Sequence, residues 1–296
     1  MKTYREVAER YLKQPTKRLN RPKGEECIRY TGYAVDRFGD RELDSFKNAD
    51  VTMYVEDMRE KGYSNGTINT CVRYFLAVLN YAQRDLELIP SVPHFDKLPT
   101  DVGGRSISRD EILALLAELP RLKAEMMRFA LETGLRGANV KALRWEQVNM
   151  DALQLEIPAA LTKAGKMLCL PLSDGAVSIL ETRRRDQDRL DNPEFVFTTA
   201  HGKPYSPKTK MTNGSWRRAV KRAGLERVTF HDMRHTWATR HTMAGTAPAV
   251  LKDLGGWANL EMVERYTHMN TSALRLAVNN ASDNVVENIA IADSAA

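Results

Sequence analysis

The amino-acid sequence predicts a mainly α-helical protein with one small β-sheet, built as a helical amino-terminal domain followed by a larger α-rich domain. Three observations predict it. Apolar residues recur at helical spacing on both sides of a break rich in proline and glycine. The break itself sustains no periodicity. One short stretch beyond it alternates apolar with polar residues and then turns back.

The elements follow in order. In NADVTMYVEDMREKG, Val51, Tyr54, Val55 and Met58 fall on one helical face. In SNGTINTCVRYFLAVLNYAQRD, Ser64 is placed to cap a helix whose apolar stripe is Ile68, Val72, Phe75 and Leu79. Residues 1–90 therefore read as a small helical bundle. Pro90, Pro93, Pro99, Gly103 and Gly104 come next, and residues 91–106 read as a linker. The second domain, 107–276, opens on SRDEILALLAELP, where Ser108 and Glu111 form an S-x-x-E capping box. Leu153, Leu155 and Ile157 alternate with polar neighbours, TKAGK turns, and MLCLPL runs back, which predicts a β-hairpin with Lys163 near its tip. Helical spacing resumes after Pro207. Residues 277–296, rich in Ala and Asn, are expected to form a short helix and a frayed tail.

Composition narrows the partners. With 296 residues, 43% hydrophobic and 28% charged, the chain reads as globular and long enough for two cores. The formal charge of +6 suits a polyanion, but its placement says more than its sum. Between His201 and Arg240 lie ten Lys or Arg, Lys203, Lys210 and Arg217 among them, against the two acids Glu226 and Asp232. That segment is the natural place for phosphate-backbone contacts. Cys27, Cys71 and Cys169 lie far apart without C-x-x-C spacing, so neither a disulfide framework nor a zinc site is suggested. No apolar run approaches the ~18 residues of a membrane span, and the start, MKTYREVAERYLKQ, has no signal-peptide core. A cytoplasmic, DNA-associated protein is expected, nucleoid-associated when bound.

The stretch TFHDMRHTWATRH, residues 229–241, poses the chemical question. His231, Arg234 and His235 at i, i+3 and i+4 project from one side of a helix. A metal held by His231 and His235 would sit beside a permanent cation, Arg234, and the Glu that usually follows the first His is here Asp232. A phosphate suits the same residues better, because a guanidinium offers parallel N–H donors while an imidazole exchanges protons. On this motif alone, residues that merely cap or pack a helix are the more frequent explanation. Upstream, ALETGLRGANVKALRW sets Arg136 after a Thr-Gly turn at a helix N-terminus. Downstream, LGGWANLEMVERYTH sets Trp257 and Tyr266 nine residues apart.

Arg136 in T-G-L-R, Lys163 in T-K-A-G-K, His231 and Arg234 in H-D-M-R-H, Trp257 in L-G-G-W and Tyr266 in R-Y-T-H occur in the order and approximate spacing of the tyrosine recombinases. The sequence resembles phage-type integrases over nearly its whole length, since RFGDRELDSFKNADVTMYVEDMREKGYSNGTINTCVRYFLAVLNYA is similar to that family's helical core-binding domain. The resemblance implies a core-binding domain followed by a catalytic domain of tyrosine recombinase type. It implies a site-specific recombinase that cleaves DNA through a 3′-phosphotyrosyl link on Tyr266, with no metal or high-energy cofactor. Arg136 and Arg234 then stabilise the five-coordinate phosphorus, Lys163 protonates the departing 5′ oxygen, and His231 acts as acid, base or orienting group. The Tyr266 phenol, with an ordinary pKa near ~10, is expected to lose its proton during attack or to be activated by surrounding positive charge, a field that Arg136 and Arg234 would supply. His235, one turn on, is expected to pack or to support the site from behind.

Two departures carry consequences. Trp257 stands where many members have His; an indole N–H donates to a phosphate oxygen but carries no proton, so Trp257 is expected to stabilise rather than shuttle. Asn139 stands where many members have an acid, which bears on the protonation of His231. The implied partners are double-stranded DNA with specific attachment or recombination sites, further copies of the chain in a tetramer on that DNA, and DNA-bending or directionality factors. The core-binding pattern begins early, so no additional arm-binding module is expected. The competing readings are a type IB topoisomerase, a noncatalytic DNA-binding protein and the metal hydrolase.

Overall fold

Helical spacing and capping place the amino-terminal helices. Helix α1 (Tyr4–Lys13) starts where the Thr3 hydroxyl and the Glu6 carboxylate satisfy each other's backbone N–H groups. Helices α2 (Glu25–Phe38) and α3 (Asn48–Glu60) follow, and α4 (Asn65–Arg84) begins with the Ser64 hydroxyl accepting from Thr67 N. Their apolar faces meet around Phe75, whose ring centroid lies 5.5 Å from Tyr4, 5.1 Å from Phe38, 5.3 Å from Phe46 and 5.6 Å from Tyr54. These aromatic contacts and the buried aliphatics Val7, Met58, Ile68 and Leu79 form one core. Residues expected to be a linker run extended beside α4: the Asn69 amide exchanges two hydrogen bonds with the Leu98 backbone, and Asn65 donates to the Pro99 carbonyl.

The computed structural model of the chain describes residues 2–15, 24–100, 104–162, 164–187, 194–206 and 209–267, together with 275 and 278. The chain divides into two compact units, Met1–Gly103 and Gly104–Ala296.

In the second unit the Ser108–Glu111 capping box starts α5 (Arg109–Glu118). Helices α6 (Arg121–Thr133) and α7 (Gly137–Lys141) lead into a three-stranded antiparallel sheet, β1 (Val148–Asn149), β2 (Gln154–Ile157) and β3 (Leu168–Pro171), in the order β1-β2-β3. Then come α8 (Asp174–Gln187), α9 (Gly214–Arg222), α10 (His231–Met243), α11 (Pro248–Gly255) and α12 (Glu261–Thr267). The hairpin pairs Leu155 with Leu170 and Ile157 with Leu168, and all four side chains face the core, as period-2 alternation requires. Two details differ from the sequence reading. Leu153 belongs to the turn, with φ +49° and its side chain exposed, and β1 adds a short third strand that two residues of pattern cannot announce.

Helix α10 is buried against α6, with Met233 joining Met126 and Phe129 in one core. The chain leaves α6 through Gly134 at φ +62°, where an added Cβ would come within 2.3 Å of the Trp237 ring; a side chain at 134 would force the two helices apart. The tail expected at 277–296 lies outside the described residues, apart from Val278.

Candidate active site

Helix α10 carries the centre of the site, and its first turn is fixed from both sides. The Asp232 carboxylate accepts from Thr229 N (2.6 Å), the Thr229 hydroxyl (2.9 Å) and Arg105 N (3.2 Å). One turn on, the Thr236 hydroxyl donates to the Asp232 carbonyl (2.7 Å) and accepts from Ile107 N (2.9 Å). A strap of backbone, residues 105–107, is thereby stitched along the helix.

Arg234 is 3% exposed, a burial that an arginine tolerates only with partners. Its Nη1 donates to the Gly134 carbonyl (2.8 Å) and its Nη2 to the Gly255 carbonyl (2.5 Å). Those carbonyls end α6 and α11, so the cation sits at two negative helix termini at once. Its guanidinium carbon also lies 4.1 Å from the Trp257 ring centroid. Burial, then the charge of Arg136, pushes Arg234 down to about 9, which leaves it charged at neutral pH. Arg136, the residue at the start of α7, is half-buried and makes no side-chain hydrogen bond among the described residues. Burial lowers its pKa while Tyr266 acts in the opposite direction, so the two groups feel each other's charge. Three parts of the chain far apart in sequence thus converge: the start of α7, the first turns of α10, and α12.

Tyr266 on α12 is 7% exposed, packed against Trp257 at 5.8 Å between ring centroids. Its hydroxyl is 3.0 Å from His235 Nδ1. Burial raises the phenol's pKa, and Arg234, Arg265 and Arg136 lower it; burial wins. The cationic field expected from the sequence is present, but in this state it does not ionise the phenol. His231, the first residue of α10, lies open to solvent at the mouth, edge-on to His235 with ring centroids 4.7 Å apart. Partial desolvation and then Arg234 lower its pKa, while Asp232 raises it; a carboxylate next in sequence supplies some of what Asn139 cannot. His235 is buried, and burial followed by His231 pushes it down to about 4, so it is neutral at pH 7.

The other expected residues divide. Trp257 presents its ring face to Arg234 rather than an indole hydrogen bond to any described residue. Lys163 lies outside the described residues; beside it, the Thr162 hydroxyl closes the hairpin turn by donating to the Lys166 carbonyl (2.7 Å). Lys203, Lys210 and Arg217 are exposed, and Lys210 and Arg217 line a cavity of about 670 Å³ with Lys221 and Arg227. Among the described residues, no group of three His, Cys, Asp or Glu is placed to hold a metal ion, and no helix is long and apolar enough to cross a membrane. His235 is the residue whose part the sequence understated. Its spacing from His231 put it on the right face, but nothing in the sequence says that α12 returns to lay Tyr266 against it.

Residues 105–273 match the phage integrase family. The integrase of Salmonella phage P22 is 31% identical over 209 residues, which is 68% of this chain and 53% of that protein, so this chain spans about half of that relative's length. The tyrosine recombinase XerA of Pyrococcus horikoshii is 26% identical over 267 residues, 88% of each chain. Among solved structures, the Tn1549 transposon integrase in complex with a circular intermediate DNA superposes with a TM-score of 0.77 at 20% identity, covering 95% of this chain and 100% of that one. A lambda integrase dimer bound to a COC′ core site gives 0.73 at 19% identity, covering 90% and 95%. At these identities the likeness concerns the fold.

Proposed function

The chain belongs to the phage integrase family, and from that premise we propose that it is a tyrosine-type site-specific DNA recombinase whose nucleophile is Tyr266. The observation that carries this reading is the convergence of Arg136, Arg234 and Tyr266 on one another from separate elements. A diester phosphorus that becomes five-coordinate gains charge on its nonbridging oxygens, and two guanidiniums fixed around it bind that state better than the starting diester. The Tyr266 oxygen bonds to phosphorus as its proton passes to His231 or to water, the bond to the 5′ oxygen breaks, and that oxygen leaves with a proton from Lys163. A 3′-phosphotyrosyl link and a 5′-hydroxyl remain. Attack by the 5′-hydroxyl of a second strand reverses the step and frees Tyr266. Energy is conserved in the phosphodiester, so neither metal nor high-energy cofactor is needed.

Lys163 supplies the proton to the leaving oxygen. His231, open at the mouth and close to neutral imidazole, orients the phosphate or exchanges a proton with it. Trp257 holds Arg234 by its ring face. Residues 1–90 serve as the core-binding domain and 107–276 as the catalytic domain, joined through 91–106, and Lys203, Lys210 and Arg217 meet the phosphate backbone. The substrate is double-stranded DNA bearing a specific site. Four copies act on two paired sites, with DNA-bending or directionality factors where geometry demands them, in the cytoplasm and on the nucleoid.

The test is a nicked duplex carrying the site the protein selects from a random pool, incubated in EDTA and resolved under denaturing conditions. A covalent protein–DNA band is expected from the wild type and none from Tyr266→Phe. A band that survives in Tyr266→Phe, or one that EDTA abolishes, refutes the assignment.

A further inference from the structure

We propose that His235 is the positioning residue for the nucleophile: its Nδ1 accepts the Tyr266 O–H and fixes where the phenolic oxygen stands relative to the two arginines. The proposal rests on the assignment of Tyr266 as nucleophile and adds a residue which that assignment does not require. The hydroxyl and Nδ1 are 3.0 Å apart, and both side chains are buried, at 7% and 5% exposure. A hydrogen bond shielded from water holds direction better than an exposed one. No other hydrogen bond of the Tyr266 hydroxyl to a described residue competes with it.

The imidazole is itself held from the far side. Gly104 runs so close to His235 that a Cβ there would lie 2.1 Å from Nε2, and its φ of +106° is a backbone state other residues rarely adopt. The next residues fix that strap to α10: Arg105 N donates to Asp232, and Ile107 N to Thr236, the residues three before and one after His235. His231 stands edge-on to the same ring. The ring is therefore trapped between the strap and the phenol, with Nδ1 toward the oxygen and Nε2 toward the strap. Accepting at Nδ1 requires the neutral tautomer protonated at Nε2.

This arrangement gives the two histidines of the motif different work. His231 faces solvent, where a phosphate arrives; His235 faces inward, where the nucleophile waits. On attack, the O–H that Nδ1 has oriented gives up its proton to His231 or to water, and the lone pair left toward the arginines is the one that meets phosphorus.

Asn and Gln separate positioning from packing, because the Asn amide places a polar atom near the position of Nδ1 and the Gln amide near that of Nε2. Single-turnover adduct formation is measured on the nicked duplex for His235→Asn, His235→Gln, His235→Phe and Gly104→Ala, alongside thermal unfolding and noncovalent DNA affinity. A second substrate carries sulfur in place of the 5′ bridging oxygen, a leaving group that needs no protonation. His235→Phe and His235→Gln are expected to slow adduct formation roughly ten- to a hundredfold on both substrates at unchanged affinity, as a displaced nucleophile would. His235→Asn, which keeps an acceptor near the position of Nδ1, is expected to retain a rate within about threefold of the wild type, at the lower end of what losing one neutral hydrogen bond would do. Gly104→Ala, which pushes the ring, is expected to slow both substrates as well. In 15N spectra of the imidazole, Nδ1 is expected at a pyridine-like shift and Nε2 at a pyrrole-like one.

Should His235→Phe fail to fold, the Asn and Gln pair carries the test. Equal rates for Asn and Gln, rescue by the sulfur substrate, or a protonated Nδ1 in the spectra would each overturn the proposal. Loss of adduct in the wild type, or an adduct in Tyr266→Phe, would instead overturn the assignment of Tyr266, which keeps the two failures distinct.

Discussion

The two units of this chain solve the same packing problem with different side chains. Among the described residues, the buried polar and charged residues of the amino-terminal unit are Thr31 and Asp50, whereas the second unit buries thirteen, four of them, Asp232, Arg234, His235 and Thr236, within five positions of α10. The first core is apolar and aromatic around Phe75. The second keeps an arginine, a carboxylate and an imidazole inside, each tied to backbone groups or to another side chain. Burying charge costs several kcal/mol per ion unless partners offset it. A unit whose proposed phosphate contacts are cations on its surface has no reason to bear that in its core; a unit proposed to hold fixed charges around a reacting phosphorus does.

The largest effect that would break the contrast is in the first unit. Phe75→Ala removes a ring that touches four other aromatics and should cost about 3 to 5 kcal/mol of stability, read by urea unfolding of the full chain. Because burial raises the Tyr4 and Tyr54 phenols that touch Phe75 above their ordinary value near 10, neither titrates in this range, and the loss should be the same at pH 5 and pH 7.5. A loss that varies with pH would mean that the apolar core is less independent of charge than its composition says.

Next in size are the two arginines, which share a charge but not a setting. Arg136→Ala should slow adduct formation by about 100-fold or more, the cost of one preorganised donor at ~2.7 to 4 kcal/mol. Being half-buried and without a hydrogen-bonded partner among the described residues, it should change unfolding free energy by no more than about 0.5 kcal/mol. Arg234→Ala should slow cleavage too, but it also strips the Gly134 and Gly255 carbonyls of their donors, at roughly 1 to 3 kcal/mol for each buried group left unpaired. If both variants unfold alike, the distinction between a presented and a built-in arginine fails.

The second unit should also be the pH-sensitive one. His235 is pushed down to about 4 by burial, below the ~6.5 of an exposed imidazole, so the unfolded chain binds the extra proton first. The stability this contributes is therefore fully present above about pH 6.5 and is lost as pH falls toward 4, by roughly 2 to 3 kcal/mol at pH 4.5. His231 and His241 are lowered in the same direction. Glu111, held at about 2 chiefly by Arg105, adds its own loss only below about pH 4.5. Urea titrations of wild type and His235→Asn should diverge between pH 6.5 and 4.5; parallel curves would remove His235 from the account.

How far the sequence reached is set by the same contrast. The aromatic core was legible because Val51, Tyr54, Val55 and Met58, and then Ile68, Val72, Phe75 and Leu79, repeat at helical spacing, and all eight are buried. The capping residues Ser64 and Ser108 were legible because caps act within four residues. Positions 231, 234 and 235 on one helix were legible for the same local reason. What stayed hidden is nonlocal. That Arg234 caps two helix ends, that Asp232 holds a strap from residue 105, and that α12 brings Tyr266 to His235 depend on contacts 21 to 127 positions apart in the chain. The resemblance to a family supplied the order of the site residues; the partners of His235 lay outside that pattern.

The smallest effects concern the surfaces, and there the two units should behave alike. The first unit has Arg29 and Arg73 exposed, over Tyr30 at 4.7 Å and over Tyr74 at 4.6 Å; the second presents Lys210 and Arg217 around its basic cavity. An exposed cation that neutralises one phosphate releases about one counterion, so each such residue contributes about 0.9 to the slope of log affinity against log salt. Arg73→Gln and Arg217→Gln should each reduce that slope by close to this amount, weaken binding similarly across DNA sequences, and leave unfolding free energy within about 0.5 kcal/mol. The slopes should add in the double variant, since the residues lie in separate units. A slope that falls for Arg217→Gln alone would confine phosphate contact to the second unit, and the contrast between the cores would then extend to the surfaces.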